Sequence, residues 1–137
     1  MPSAFQRLAA RADRLASRAA FLAAAAIAAE RAGLAVADVV RPPTPAEQAA
    51  VALSARGLAP PDAARAATAR QEALYLAATV CGRSNKSLAR ASGLDPRAVR
   101  KALAKVEERR EDAAFDRALD EVEIQLRPAA ELELMGA

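Results

Sequence analysis

Residues 85–104 read NKSLARASGLDPRAVRKALA and have the residue spacing of a DNA-reading helix-turn-helix. Ala89 is small enough for a second helix to cross over it. Gly93, four residues later, can take the left-handed backbone that a tight interhelical turn needs. Val99, six residues further on, is the expected inward anchor of the second helix. This spacing predicts two short helices joined at Gly93.

The second helix of this motif has a start signal and a cationic outer side. Asp95 is a strong helix N-cap, and Pro96 suits the first helical position. A cationic helix after a glycine turn is typical of one that enters a DNA major groove, although a plain helical hairpin with solvated charges has the same pattern. The apolar residues expected to face inward are Val99, Ala102, Leu103 and Val106. The residues predicted to read base edges are Arg97, Arg100 and Lys101.

A second group of residues around the motif is predicted to hold DNA phosphates. Lys and Arg side chains and small hydroxyls are the usual partners of phosphate oxygens. Most of the group flanks the predicted reading face, and one arginine approaches from the preceding central helix. The predicted phosphate contacts are Arg70, Arg83, Ser84, Lys86, Ser87, Arg90 and Lys105.

The composition favours closely packed helices, and the charge is unevenly distributed. The 137 residues are 53% hydrophobic but only 3% aromatic, so the apolar content is mostly alanine and leucine. From Arg83 to Arg110 there are nine Lys/Arg against three Asp/Glu, a net of +6. From Glu111 to Ala137 there are two against eight, a net of −6. This separation indicates an anion-binding surface followed by an acidic segment.

The chain has no histidine and one cysteine, Cys81, which excludes a disulfide framework, a zinc finger and any His-dependent triad within it. Cys81 ends an apolar run and is expected to be a buried small hydrophobe. Paired carboxylates such as Glu107-Glu108 lie on helical segments, where a solvated face is the expected role. We therefore predict no enzyme activity, no cofactor and no metal site.

The pattern along the chain predicts an all-α, multi-helix bundle that contains the helix-turn-helix. The long N-terminal amphipathic helix takes up residues 1–33, the DNA-binding domain residues 34–127, and a short acidic tail residues 128–137. Besides the two helices of the motif, the predicted helices are Ala4 to Ala32, Ala35 to Val40, Thr44 to Gly57, Pro61 to Val80 or Cys81, and Ala113 to Leu126, the last ended by Pro128.

The first helix carries an apolar seam at heptad spacing beside a row of arginines. The seam lacks the glutamates that a parallel homodimer would place opposite the arginines, so three roles stay open: packing on its own domain, docking a partner protein, or lying on a membrane surface. Its apolar run is too short to span a bilayer, and a cytoplasmic, nucleoid-associated protein is expected. The seam residues are Phe5, Leu8, Ala12, Leu15, Ala19, Leu22, Ala26 and Ala29, and the arginines are Arg7, Arg11, Arg14 and Arg18.

Several motifs occur in the order found in one DNA-binding family. They are Val36-Ala37-Asp38-Val39-Val40, Arg70-Gln71, Ser84 with Leu88, and Lys105-Val106-Glu107. Over residues 23–126 this order resembles the C-terminal DNA-binding domain (domain IV) of the replication initiator DnaA, which has a TrpR-like helix-turn-helix. The family's G-G-R-D-H-T-T signature is replaced here by residues 93–98, and the sequence has no Walker-type nucleotide-binding loop.

Free-standing domains of this kind include the gene-transfer-agent activators of the GafA/GafY type, which the chain also resembles. That resemblance implies a transcriptional activator of a phage-like gene cluster, acting with a sigma-like partner and RNA polymerase. From sequence we therefore expect a sequence-specific regulator bound to double-stranded DNA, with a homodimer left open. Two alternatives remain: a replication-linked protein at initiator-type sites, and an adaptor that uses the same helices to bind protein.

Overall fold

The computed structural model describes residues 2–54, 56–57 and 61–134, and the regular secondary structure in these ranges is entirely α-helical. This confirms the predicted all-α class. Most helices begin and end close to where the sequence pattern placed them. Their bounds are α1 Ala4–Ala32, α2 Val36–Val40, α3 Pro45–Ser54, α4 Pro61–Thr79, α5 Asn85–Ser92, α6 Pro96–Arg109 and α7 Ala113–Leu134. No helix in the described ranges is long and apolar enough to cross a membrane.

Helix α4 lies at the centre of the bundle and contacts α1, α2, α3, α5 and α6. Leu74 and Leu76 of α4 are buried in the core together with the small side chains of Ala73 and Ala77. Phe21 of α1 is completely buried in this alanine-rich interior. Because alanines line the α1–α4 contact, a core with few aromatic residues can still be well packed.

Helix α1 packs on the domain mainly through a face other than the heptad seam. Leu8 and Leu15 belong to the predicted seam and are largely exposed, whereas Phe21, Ala24 and Ala28 are completely buried. The physical reason is that the alanine face brings the α1 backbone closest to α4, and Phe21 fills the remaining volume. The second half of α1 thus shares the core of the domain, and the boundary at residue 33 marks a helix end at left-handed Gly33.

The last helix, α7, is longer than predicted. It continues to Leu134, so Pro128 does not end it. A proline inside a helix costs roughly 3 kcal/mol, but the residues after it are mostly alanine, glutamate and leucine, which favour helix. The inward side of α7 is apolar, and its residues Leu119, Val122 and Leu126 are buried.

Candidate nucleic-acid interface

The α5–α6 unit is shaped by local signals that the sequence made visible. Ser84 begins α5, and its Oγ accepts a hydrogen bond from the backbone N–H of Ser87 at 3.1 Å. Gly93 ends α5 with a left-handed φ of 75°. Asp95 begins α6, and its Oδ1 accepts from the backbone N–H of Ala98 at 2.9 Å. The predicted cap at Asp95 and the predicted turn glycine are confirmed.

The turn between α5 and α6 packs against the proline loop that precedes α3. A Cβ atom added at Gly93 would lie 2.8 Å from Cγ of Pro42, which is closer than carbon atoms tolerate. The positive φ and this contact both require glycine. The turn is therefore packed against the proline loop, and this contact fixes the direction in which α6 leaves the turn.

Helix α6 separates an apolar side from a cationic side. Val99, Ala102 and Val106 are buried. The predicted base-reading residues are all exposed on the other side, together with one predicted phosphate contact, and no described carboxylate pairs with any of them. These four cations are Arg97, Arg100, Lys101 and Lys105. The outer side of α6 is thus a row of uncompensated positive charge next to the fixed turn.

Helix α5 adds two more exposed cations, Lys86 and Arg90, which were both predicted phosphate contacts. Arg90 is close enough to Asp13 of α1 to contribute to lowering the pKa of that carboxyl. Lys86 forms no ion pair with a described residue. The cationic surface therefore extends from α6 onto α5.

Arg70, a predicted phosphate contact, does not lie on this exposed surface, and its burial argues against that role. Its side chain is buried, with 4% of the residue exposed. Its Nε donates to the carbonyl oxygen of Val39 and its Nη2 to that of Asp38, both at 3.1 Å. Nη2 also lies 3.2 Å from Oε2 of buried Glu47. Burial lowers the pKa of Arg70 and Glu47 opposes that effect, so the guanidinium is a structural cation that joins α2, α3 and α4.

Arg83, another predicted phosphate contact, binds to side chains of α1. Its Nε donates to Oγ of Ser17 at 2.9 Å, and its Nη2 forms an ion pair with the carboxylate of Asp13. Ser87 donates from its Oγ to the other carboxylate oxygen of Asp13 at 2.9 Å. Ser84, as the cap of α5, also has its hydroxyl engaged, donating to Oγ of Ser87 at 3.0 Å. As the domain stands, Arg83, Ser84 and Ser87 serve internal contacts instead of presenting free donors to DNA.

Helix α1 holds α5 at both of its ends. Asp13 lies at the N-terminal end of α5, and Arg18 donates from Nη1 to the carbonyl oxygen of Ala91 at 2.8 Å near its C-terminal end. A negative group at a helix N-terminus and a positive group at its C-terminus both complement the helix dipole. Sequence reasoning missed this pair because its partners lie more than 70 positions away in the chain.

The Asp13 contacts predict a pH-dependent contribution to stability. The hydrogen bond from Ser87, helped by the nearby Arg83, lowers the pKa of Asp13 below its ordinary value of 3.8. A lowered folded-state pKa stabilises the protein above about pH 4, and this contribution is lost as pH falls through the folded-state value. Because Asp13 is half exposed, we expect Asp13→Ala to cost under about 1 kcal/mol at neutral pH.

Urea unfolding of the wild type and of Asp13→Ala, at pH 7 and near pH 3, checks this expectation. The difference between the two proteins is expected to shrink at the lower pH. Glu121→Ala, at an exposed carboxylate on α7, is the matched control. A difference that stays the same at both pH values would contradict the carboxylate interaction.

The acidic α7 and the basic end of α6 partly neutralise each other. Arg110 is paired with Asp116, Asp120 and Glu123, and it donates to the hydroxyl of Tyr75 at 3.1 Å. Burial alone would lower the pKa of Arg110, but its hydrogen bonds to Asp116 and Glu123 outweigh that effect and raise it. The net +6 of residues 83–110 is therefore not spread over one surface.

A neighbouring pair removes a further cation from the basic segment. Arg109 is paired with Glu72 at 3.1 Å and lies over the ring of Phe115. Because Arg83, Arg109 and Arg110 are paired with carboxylates, the uncompensated positive charge is concentrated on α5 and the outer side of α6. The net charges of the two sequence segments could not show where on the surface the positive charge lies.

Comparisons with protein-family models, with curated proteins and with solved structures found no match. Among the described residues no group of carboxylates and cysteine could hold a metal ion.

Proposed function

We propose that this protein binds double-stranded DNA sequence-specifically through α5 and α6, acting as a helix-turn-helix, and regulates transcription. One observation carries the proposal: the unpaired cations on the outer side of α6, immediately after a capped and sterically fixed turn. Their buried counterparts hold the helix on the bundle, so the cationic side faces outward as a unit. This arrangement suits a helix that enters a major groove.

Within this proposal the exposed cations divide into two groups. Arg97, Arg100 and Lys101 project from the first half of α6 and read base edges, with a preference for guanine because arginine and lysine pair with its O6 and N7 atoms. Lys86, Arg90 and Lys105 flank them and contact phosphates. Arg70 is no longer among the proposed phosphate contacts. The remaining predicted contacts, Arg83, Ser84 and Ser87, contribute indirectly by fixing α5.

The regulatory role is supported by the sequence resemblance to DnaA domain IV and to the gene-transfer-agent activators. We propose an activator in the cytoplasm that works with a sigma-like partner and RNA polymerase. One reading helix contacts few base pairs, and a single module of this size rarely reaches regulatory affinity alone. A partner on adjacent DNA, or a second copy, would supply the missing contacts.

The deciding experiment selects bound sequences from a random double-stranded DNA pool and then measures affinity at several salt concentrations. We expect a defined preferred site and an affinity that falls steeply with salt. Mapping occupancy in the native host then separates promoters from replication origins. Absence of salt-dependent DNA binding would overturn the proposal and favour a protein-binding adaptor.

Phosphate contact by Lys86 makes a separate prediction. Lys86→Ala is expected to weaken binding to all DNA sequences alike and to lower the slope of log affinity against log salt by about one. The measurement is fluorescence anisotropy with the preferred site and with random DNA. Arg127→Ala, at an exposed cation on α7, is the control and leaves the slope unchanged. An unchanged slope in Lys86→Ala would contradict the phosphate role.

A further inference from the structure

The first half of α1 carries an uncovered apolar row. Residues 2–15 are exposed throughout. Within this stretch Phe5 is 79% exposed, Leu8 67% and Leu15 62%, and the row continues to Leu22 at 38%. From Phe5 to Leu22 the row extends for about 26 Å along the helix. Isolated exposed leucines are common, but an aligned row of this length marks an interaction surface.

The spacing of this row fits another helix. Leu8, Leu15 and Leu22 repeat every seven residues, with Phe5 three positions before the first. Ala12 and Ala19 fill the alternate positions, which gives the three-and-four spacing of a coiled-coil seam. A helix that lies on lipid needs a wider apolar face than this narrow seam. The seam therefore favours a helical occupant over a membrane surface.

The charges beside the seam indicate the chemistry of the occupant. Arg11 and Arg18 lie at the positions that flank the seam on one side, and Ala9, Ala16 and Ala23 flank it on the other. A helix with carboxylates along one edge would meet the arginines, while the alanines allow close approach. The Asp13 and Arg18 contacts to α5 fix the direction in which this face is presented.

A second copy of α1 does not supply those carboxylates. Parallel pairing would set the arginines against alanines, and antiparallel pairing would set the two arginine-bearing edges against each other. Helix α7 of a second copy is acidic, but its apolar residues Leu119, Val122 and Leu126 are buried in its own core. Between Ala113 and Arg127, where the side chains of α7 are described, the one large exposed apolar side chain is Ile124.

We propose that the α1 seam, defined by Phe5, Leu8, Leu15 and Leu22, is the docking site for an acidic amphipathic helix of a partner protein. Docking of such a helix on α1 does not depend on DNA binding by α5 and α6. A partner helix docked here would lie beside α5, since the same stretch of α1 is clamped to that helix. Its position would thus be fixed relative to the cationic surface.

The test uses the full chain and a labelled four-heptad peptide with leucine at its seam positions and glutamate at its flanking positions. The matched control peptide has lysine in place of glutamate. By fluorescence anisotropy we expect the glutamate peptide to bind at least about tenfold more tightly than the lysine peptide at low salt, with the difference reduced at high salt. Equal binding of the two peptides would overturn the acidic-partner assignment.

Substitutions on α1 then locate the contact. Leu8→Gln with Leu15→Gln is expected to weaken glutamate-peptide binding by more than about tenfold, since two leucine side chains lose their burial. Arg11→Glu is expected to shift the preference towards the lysine peptide. Ile124→Gln is the control at an exposed apolar residue elsewhere, and it leaves binding unchanged. Because these side chains are exposed, unchanged thermal melting is expected in every variant.

Two other results would overturn the proposal. A wild-type dimer in sedimentation that dissociates in the Leu8→Gln, Leu15→Gln variant would make a second copy the occupant. Binding to anionic phospholipid vesicles that the same variant loses, without peptide binding, would make a membrane the occupant. Neither result bears on DNA binding by α5 and α6, so failure here is distinguishable from failure of the proposed function.

Discussion

Arg100→Ala is expected to weaken binding to the preferred DNA site by about 1–3 kcal/mol, or roughly 5- to 150-fold, and to relax its sequence preference. Arg100 is exposed near the middle of the cationic side of α6, beside buried Val99. An arginine there can donate two parallel hydrogen bonds to O6 and N7 of one guanine, which no other base accepts in the same way. The loss should therefore concentrate on sites that carry that guanine.

The measurement compares Arg100→Ala with the wild type on the selected site, on variants of that site with one base pair changed, and on random DNA. Arg117→Ala, at an exposed arginine on α7, controls for the loss of one positive charge. Because Arg100 is exposed, the melting temperature of the Arg100→Ala variant should match that of the wild type. An equal loss on selected and random DNA would assign Arg100 to phosphate contact and contradict base reading.

Predictions from the sequence were accurate where the interacting groups lie close together in the chain. The caps at Ser84 and Asp95 and the turn at Gly93 were predictable, because each depends on backbone groups within a few residues. The row of cations on α6 was predictable from helical spacing alone. The candidate reading face could therefore be assembled from one stretch of sequence.

The roles of the other arginines could not be read in the same way. Arg83 and Arg18 look like free surface charges in the sequence, yet their partners in space are Asp13 and the carbonyl of Ala91. Heptad spacing likewise identified a true apolar row on α1 but could not decide whether that row packs on its own domain. The buried face of α1 could not be identified from hydrophobicity, because an alanine face buries little area yet allows the closest helix packing.

Arg70 shows how strongly a distant partner can change a residue's role, and it carries the second large expected effect. Arg70→Ala would remove both donors to the carbonyl oxygens of Asp38 and Val39 and leave buried Glu47 without its closest buried cation. Removing one member of a buried ion pair costs about 3–5 kcal/mol. Arg41, half exposed and 3.2 Å from Glu47, moderates the effect, so we expect the lower part of that range.

Urea unfolding measures this loss, and further variants test its cause. Arg70→Lys is expected to recover only part of the stability, because one ammonium cannot reproduce the planar donor geometry of a guanidinium. Glu47→Leu combined with Arg70→Met removes both buried charges and should be more stable than Arg70→Met alone, which keeps the same side-chain volume at position 70. That recovery is the signature of an uncompensated carboxylate, which a simple loss of packing would not show.

DNA binding by Arg70→Ala, measured at a temperature where it is still folded, separates structure from phosphate contact. A buried guanidinium releases no counterion when DNA binds, so the slope of log affinity against log salt should equal that of the wild type. The slope should fall in Lys86→Ala, whose charge is exposed on α5. A slope lowered by about one in Arg70→Ala, with stability unchanged, would restore the phosphate role and contradict the buried network joining α2, α3 and α4.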